Sequence, residues 1–181
     1  LRASIAIGIV ACIYLVTALV FFFNFYPNTY IGDYSLSGKS MNKAYELVDE
    51  VIGDYKLNVA DKNGYSLQVA KGDVALHLNK DQVKEYIDKT QNPFLWPVEI
   101  FMPHDLSPLV EESYDDALLR ELVADSIFNY NQDREGPTNA TAIYNPQTNY
   151  FDIQEEKQGT KLDLESSYED IKYSLVRLYS S

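Results

Sequence analysis

The first 23 residues of the chain are almost entirely apolar, whereas the rest alternates short apolar patterns with polar turns. The run from Ala3 to Phe23 contains 21 residues without a charge. As a helix rising 1.5 Å per residue, it would be roughly 31 Å long, which matches the hydrocarbon core of a bilayer. A cleaved signal peptide would have a shorter apolar region followed by a small-residue cleavage site, and no such site follows Phe23. The pattern therefore predicts an uncleaved transmembrane helix over residues 3–23.

Four later segments have the apolar spacing of amphipathic helices, each preceded by a capping residue. Apolar residues at intervals of three and four give each segment one face that can pack on a core. The predicted helices cover residues 41–52 behind Ser40, residues 80 to about 89 behind a capping box of Asn79 and Gln82, a segment behind Ser113 and Asp116, and a segment from Leu164 to Leu178 behind Asp163.

Alternation of apolar and polar residues predicts the strands. One hairpin is expected to join residues 55–59 and 65–69 around a turn at 61–64, and a second joins 140–144 and 150–154. Residues 74–78 and 98–101 have apolar patterns compatible with two further short strands, and 129–138 reads as a polar loop. Antiparallel hairpins interleaved with helices indicate an α+β fold behind the membrane helix, with one core or two lobes left open.

The distribution of charge predicts an orientation in the membrane. Arg2 is the only cation before the span and Lys39 is the next one, so the positive-inside tendency places the N-terminus in the cytoplasm. Residues 1–2 are then a cytoplasmic stub, expected to be truncated because the chain begins at Leu1, and residues 33–181 lie outside. Residues 24–32 read as a juxtamembrane linker whose aromatic side chains form a belt at the outer interface: Phe25, Tyr26 and Tyr30.

The composition of the exported part excludes several functions. All 27 acidic residues, and all but one of the 15 basic residues, lie beyond Phe23. Such an acidic domain is not expected to bind nucleic acid or an anionic membrane surface. The only cysteine, Cys12, lies inside the predicted span, so the exported part has no disulfide and no thiol nucleophile. Its length is sufficient to bury a core without disulfides.

No catalytic, metal or cofactor site is predicted. His77 is expected on the exposed face of a strand and His104 in a solvated loop, which disfavours a zinc site. Residues 131–136 resemble the start of a calcium loop, but Ala142 stands where a bidentate Glu is needed. The neighbouring acids Glu111/Glu112 and Glu155/Glu156 are interpreted as solvated rather than as a glycosidase pair, which would face across a cleft.

The stretch Asn92-Pro-Phe-Leu-Trp-Pro97 holds the only Trp of the chain. Because proline disfavours helical backbone in the residue before it, Asn92 and Trp96 are predicted to be extended. Two interpretations remain open for Trp96. It anchors the core, with its indole N–H donating to a nearby carbonyl, or it forms with Phe94 an aromatic platform for a ligand.

Several stretches, taken in order behind the membrane helix, resemble a family. They are residues 34–44 (YSLSGKSMNKA), 91–97 (QNPFLWP), 137–140 (PTNA) leading to 150–154 (YFDIQ), and 159–163 (GTKLD). They are similar to the peptidoglycan-binding-type domain of Gram-positive cell-wall proteins. That domain precedes the catalytic domain of membrane-anchored L,D-transpeptidases, and relatives occur in W-type proteins associated with vancomycin resistance.

The resemblance covers residues 33–181 and implies a wall-facing module with peptidoglycan as its ligand, at the N-terminal side of a transpeptidase domain. The transpeptidase Cys and His are not part of this chain, so no catalytic residue is carried over and the catalytic domain is expected beyond Ser181. Two alternatives stay open: a structural stem that does not contact glycan, and a stand-alone regulatory or adhesion ectodomain.

Overall fold

The computed structural model describes residues 2–179 and has an α+β fold, as the sequence predicts. An N-terminal helix is followed by short strands interleaved with helices. The helices are α1 (Arg2–Phe21), α2 (Met41–Gly53), α3 (Lys80–Thr90), α4 (Trp96–Glu99), α5 (Ser107–Glu111), α6 (Asp116–Asn131) and α7 (Leu164–Val176), with a 3-10 turn at Pro93–Leu95. The strands are β1 (Thr29–Ile31), β2 (Tyr34–Ser35), β3 (Lys56–Ala60), β4 (Ser66–Ala70), β5 (His104–Asp105), β6 (Thr141–Asn145) and β7 (Tyr150–Gln154).

Among the described residues, the buried hydrophobic side chains beyond α1, except Tyr26, belong to one cluster, which answers the question of one core or two lobes. The helices contribute residues at the predicted intervals of three and four, because only one stripe of each helix faces the core. These residues are Ala44, Val48 and Ile52 from α2, Val83 and Ile87 from α3, Leu119, Val123 and Ile127 from α6, and Tyr168, Ile171 and Leu175 from α7.

Residues 24–32 belong to the folded domain, which corrects the prediction of a juxtamembrane linker. The strand β1 lies in the middle of a three-stranded sheet, antiparallel to β2 and parallel to β5. Phe25 and Tyr26, predicted to lie in an interfacial belt, are fully buried, as is Ile31. The prediction failed because the parallel partner of β1 lies about 75 residues further along the chain, where periodicity within β1 gives no sign of it.

The β3–β4 hairpin confirms the first predicted pair of strands. Its turn is held by Asp61, whose Oδ1 accepts from the amides of Asn63 (2.8 Å) and Tyr65 (2.9 Å). The predicted strand at 74–78 is absent from the described residues. Val74, Leu76 and Leu78 are buried as the alternation indicated, but they lie in a loop with left-handed Ala75 (φ 50°).

Two helix starts illustrate how local capping acts. At α3 the capping box is present as predicted, since Asn79 accepts from the amide of Gln82 and the Gln82 side chain accepts from the Asn79 amide. At α6 the cap is Asp115 rather than the predicted Ser113, because the Ser113 hydroxyl donates to the Leu109 carbonyl at 2.5 Å. The helix α6 also continues to Asn131, into the predicted polar loop.

Helices α6 and α7 are joined by a polar cluster around Asp116. Its carboxylate accepts from the Tyr168 hydroxyl at 2.5 Å and lies 3.3 Å from the Lys172 ammonium. These two contacts, the first the larger, hold the pKa of Asp116 below its ordinary value against the opposing effect of burial. The cluster thereby connects two core helices.

The β6–β7 hairpin is confirmed, with β6 beginning and ending one residue later than predicted, and it lies outside the core. Both of its faces are exposed to solvent along almost its entire length. Its base is closed by a pair of backbone hydrogen bonds between Thr138 and Lys157. Exposed aromatic and aliphatic side chains therefore project from this hairpin: Ile143, Tyr144, Tyr150, Phe151 and Ile153.

Candidate functional site

The candidate site is built around residues 91–103, which we call the connector because they join α3 to β5. Asn92 is extended, as predicted, and its Oδ1 accepts from the Phe94 amide at 3.1 Å. The predictions for Trp96 and for a strand at 98–101 were wrong, because Trp96 is helical (φ −47°, ψ −36°) and begins α4. Pro93 and Pro97 each lie in the first turn of a short helix. Backbone N–H groups in that turn have no partner within the helix, so proline loses no helical hydrogen bond there.

Trp96 lies against the N-terminal helix. Its indole N–H donates to the Tyr14 carbonyl at 3.2 Å, and the two rings are 6.0 Å apart. In return, the Tyr14 hydroxyl donates to the Phe94 carbonyl at 2.6 Å. The expected bond from the indole to a carbonyl is present, but the carbonyl belongs to α1 and Trp96 is only half-buried. Trp96 therefore anchors the connector to α1 rather than filling the core.

Phe94, the second predicted ligand-binding residue, also contacts α1. Its ring meets the Phe22 ring edge-on, with centroids 5.7 Å apart and an interplanar angle of 83°. Between α1, α3 and the connector runs a groove of about 450 Å³, and its apolar wall includes Phe21, Phe22 and Phe94. Phe94 and Trp96 thus both contact α1, and the groove beside Phe94 also has polar side chains in its wall, namely Asp88, Lys89, Gln91 and Asn92.

The end of α1 is attached to the domain by polar contacts as well. The last carbonyls of a helix lack partners within that helix. Here the Gln91 side-chain amide donates to the carbonyls of Phe21 (2.8 Å) and Asn24 (2.9 Å). The Asn24 side chain donates to the Val20 carbonyl at 2.7 Å, and the Phe23 carbonyl accepts from the Met41 amide. The connector and α2 thereby cap α1.

Tyr26 links this cap to the sheet. Its hydroxyl donates to the Asn92 carbonyl at 2.7 Å, and its ring stacks on His104 at 5.2 Å. Burial, with smaller contributions from Glu99 and Tyr14, raises the pKa of Tyr26 to about 12, so the phenol stays protonated and donating. His104 was predicted in a solvated loop, but it is half-buried on β5 and its Nε2–H donates to the Glu99 carbonyl at 2.9 Å.

The other candidate residues do not converge on a site. His77 lies in a loop with its Nδ1 3.1 Å from the Ala75 carbonyl, not on a strand. Asn131, the first residue of the calcium-like stretch, uses its side chain to bind both backbone groups of Leu162. Among residues 2–179, no group of three or more His, Cys, Asp or Glu side chains is placed to hold a metal ion.

Sequence reasoning missed the contact between the connector and α1. One signal was available in the composition of the connector. Among residues 91–103 only Glu99 is charged, although the chain beyond α1 is rich in acidic residues. That composition resembles α1 more than it resembles the rest of the domain. The helix α1 is long and apolar enough to cross a membrane and is almost wholly exposed, although a signal sequence near an N-terminus has the same properties.

Comparison of the chain with family models, with curated proteins and with solved structures finds no match. What is known of the site therefore comes from its own geometry. That geometry is an apolar helix capped by an acidic α+β domain, with an aromatic connector lying along the helix.

The geometry predicts that the effect of Trp96→Ala depends on α1. In the full chain we expect a loss of about 2 kcal/mol, from one hydrogen bond and one aromatic contact, seen as a lower Tm in detergent micelles. In a chain that begins at Asn24, which lacks Tyr14, the same substitution should change Tm little. Phe128→Ala on α6, an exposed aromatic position distant in sequence from the connector, is the control. An equal loss in both chains would show that Trp96 stabilises the core instead.

Proposed function

We propose that this protein is a membrane-anchored, wall-facing module, with α1 as its transmembrane anchor and the acidic domain outside the cell. The observation that carries the proposal is the capping of α1 by the folded domain. Hydrogen bonds from Gln91, Asn24 and Met41 attach the domain directly at the end of an apolar helix. The distribution of charge around the helix favours the N-terminus inside.

We infer further that the module contacts peptidoglycan and serves as the N-terminal part of an L,D-transpeptidase. The support is the ordered set of motifs that resemble the peptidoglycan-binding-type domain. In this chain the only cysteine, Cys12, lies in α1, so the acyl-transfer chemistry would belong to a separate domain. The role of the present chain would be to hold that domain near the membrane and the wall.

The β6–β7 hairpin is the surface that we assign to this contact, in place of Trp96 and Phe94. It contains one of the motif stretches, and it displays aromatic rings away from the core. Tyr144 and Phe151 pack edge to face with centroids 5.5 Å apart, and Tyr150 is 75% exposed. Aromatic rings combine a large apolar face with, in tyrosine, a hydroxyl that can hydrogen-bond, which suits a polymer of sugars and short peptides.

Sedimentation with purified sacculi tests the function. The full chain in detergent micelles should sediment with sacculi at low salt, whereas empty micelles should not. Replacement of Tyr144, Tyr150 and Phe151 by Ser should abolish sedimentation while the circular dichroism spectrum is preserved, because none of the three is in the core. Phe128→Ser, also exposed but on α6, is the matched control and should sediment like the parent chain.

The alternative is a structural stem that does not contact glycan. The attachment of the domain to α1 favours it, since a spacer needs a fixed connection to its anchor and nothing more. Failure of the full chain to sediment above the level of empty micelles would overturn peptidoglycan binding and leave the stem. Sedimentation that survives in the hairpin variant would instead contradict only the assignment of the surface.

A further inference from the structure

The connector exposes a continuous series of large apolar side chains. They belong to the same segment whose Trp96 and Phe94 contact Tyr14 and Phe22, so they add to the exposed apolar surface of α1. Phe101 is 77% exposed and Val98 is 59% exposed. A contiguous apolar patch on a domain surface marks an interaction site. The exposed residues of this patch are Phe94, Leu95, Val98, Phe101 and Met102.

The position of the contact along α1 indicates what surrounds the patch. Tyr14 precedes Phe23 by nine positions, which corresponds to roughly 13 Å of helix. Trp96 and Phe94 both hydrogen-bond with Tyr14, so they lie beside the middle of α1 and not beyond its end. A helix that spans a bilayer is surrounded by acyl chains at its middle. A segment that touches it there lies among the same chains.

The backbone of the connector is compatible with that environment. Backbone donors inside a bilayer must be satisfied within the protein, because no water is available. Prolines at positions 93, 97 and 103 have no N–H to satisfy. Five amides of the connector donate within it: Phe94 to the Asn92 side chain, Leu95 to the Asn92 carbonyl, Ile100 to Trp96, Phe101 to Val98 and Met102 to Glu99.

The single charge of the connector faces the domain. The Glu99 carboxylate lies 3.7 Å from the His104 Nε2, and its side chain is less than one-third exposed. His104 in turn stacks on buried Tyr26, at the edge of the three-stranded sheet. The carboxylate therefore lies against the folded domain, while the apolar side chains project elsewhere.

We propose that residues 93–102 insert into the leaflet next to the folded domain, with lipid acyl chains as their partner. This inference rests on the proposed function in one respect, namely that α1 spans the membrane. The inserted segment is a second membrane contact beside α1. Two contacts restrict the tilt of the domain relative to the bilayer more than a single helix does, so the β6–β7 hairpin would keep a constant angle to the membrane plane.

Fluorescence of the only Trp provides the test. The full chain is reconstituted in phosphatidylcholine vesicles with or without dibrominated phosphatidylcholine, whose bromines quench Trp within the hydrocarbon core. Trp96 should lose most of its emission to the brominated lipid. A second reporter, Phe101→Trp in a Trp96→Phe background, places the fluorophore at the most exposed position of the patch. It should also be quenched by bromine, and it should be protected from aqueous iodide.

Phe151→Trp in the same Trp96→Phe background is the matched control, because Phe151 is similarly exposed but lies on the β6–β7 hairpin. It should be quenched by iodide and not by bromine. Alkaline extraction of the vesicles separates the two proposals. Release of the chain would overturn the membrane anchor and the inserted segment together. If the chain stays in the vesicles but the Phe101→Trp reporter is quenched by iodide, the inserted segment alone is overturned. The same holds if neither iodide nor bromine quenches the reporter, because protein then covers it.

Discussion

A fragment that begins at Asp33 is expected not to fold, whereas a fragment that begins at Asn24 is expected to fold. The difference is nine residues, which contain the central strand of the three-stranded sheet and two fully buried aromatic side chains. Loss of Phe25 alone removes burial worth about 3–5 kcal/mol. The whole segment therefore contributes as much as the roughly 5–15 kcal/mol by which a typical domain is stable.

The two fragments can be compared by circular dichroism and by thermal unfolding. The fragment from Asn24 should show a cooperative transition, at a lower temperature than the full chain because it lacks the contacts of α1 with Gln91 and Tyr26. The fragment from Asp33 should show no cooperative transition. A fragment that begins at Thr29 separates the causes, because it keeps β1 but lacks Phe25 and Tyr26. A cooperative transition of equal midpoint in all three would mean that residues 24–32 are a linker after all.

The sequence predicts elements whose contacts are local, but it does not predict contacts between distant segments such as residues 24–32 and β5. The helices α3 and α7 were predicted well, since their caps and their apolar stripes lie within a dozen or so consecutive residues. The β6–β7 hairpin was predicted well for the same reason, because its partner strands are adjacent. In contrast, β1 pairs with β5, and Trp96 binds Tyr14 some 80 residues away. No periodicity within either segment encodes such a partner.

Two local errors have a different cause. Residues 74–78 alternate buried apolar and exposed side chains although they form a turn and a loop, so this pattern does not distinguish a strand from a loop that crosses a core. What distinguishes the two is the hydrogen-bonding partner, and here the His77 amide donates to the Ser113 carbonyl in another loop. Trp96 was predicted to be extended from the proline after it, but a proline in the first turn of a helix is also common. Contact with α1 selects the helical alternative.

Gly32→Ala is expected to be the most damaging single substitution that leaves every apolar side chain in place. Gly32 has a φ of +55°, and a Cβ at this position would lie 2.1 Å from the Arg177 carbonyl oxygen. That carbonyl also accepts from the Asp33 amide at 3.1 Å, and the Gly32 amide donates to the Ser107 hydroxyl at 3.1 Å. The residue therefore joins the β1–β2 turn to the end of α7 and the start of α5. A methyl group would separate these contacts.

Gly38→Ala is the matched control, because Gly38 has a similar φ of +65° but no atom within 4 Å of the position that a methyl group would occupy. An alanine there should cost about 1 kcal/mol for the left-handed backbone alone. Gly32→Ala should cost about 3 kcal/mol, since displacement of packed backbone adds to that cost. In a chain of this size the corresponding losses in Tm are about 3 °C and about 10 °C. Equal losses in the two variants would show that the turn at Gly32 can move away from the Arg177 carbonyl at no cost. The contact with the end of α7 would then not stabilise the sheet.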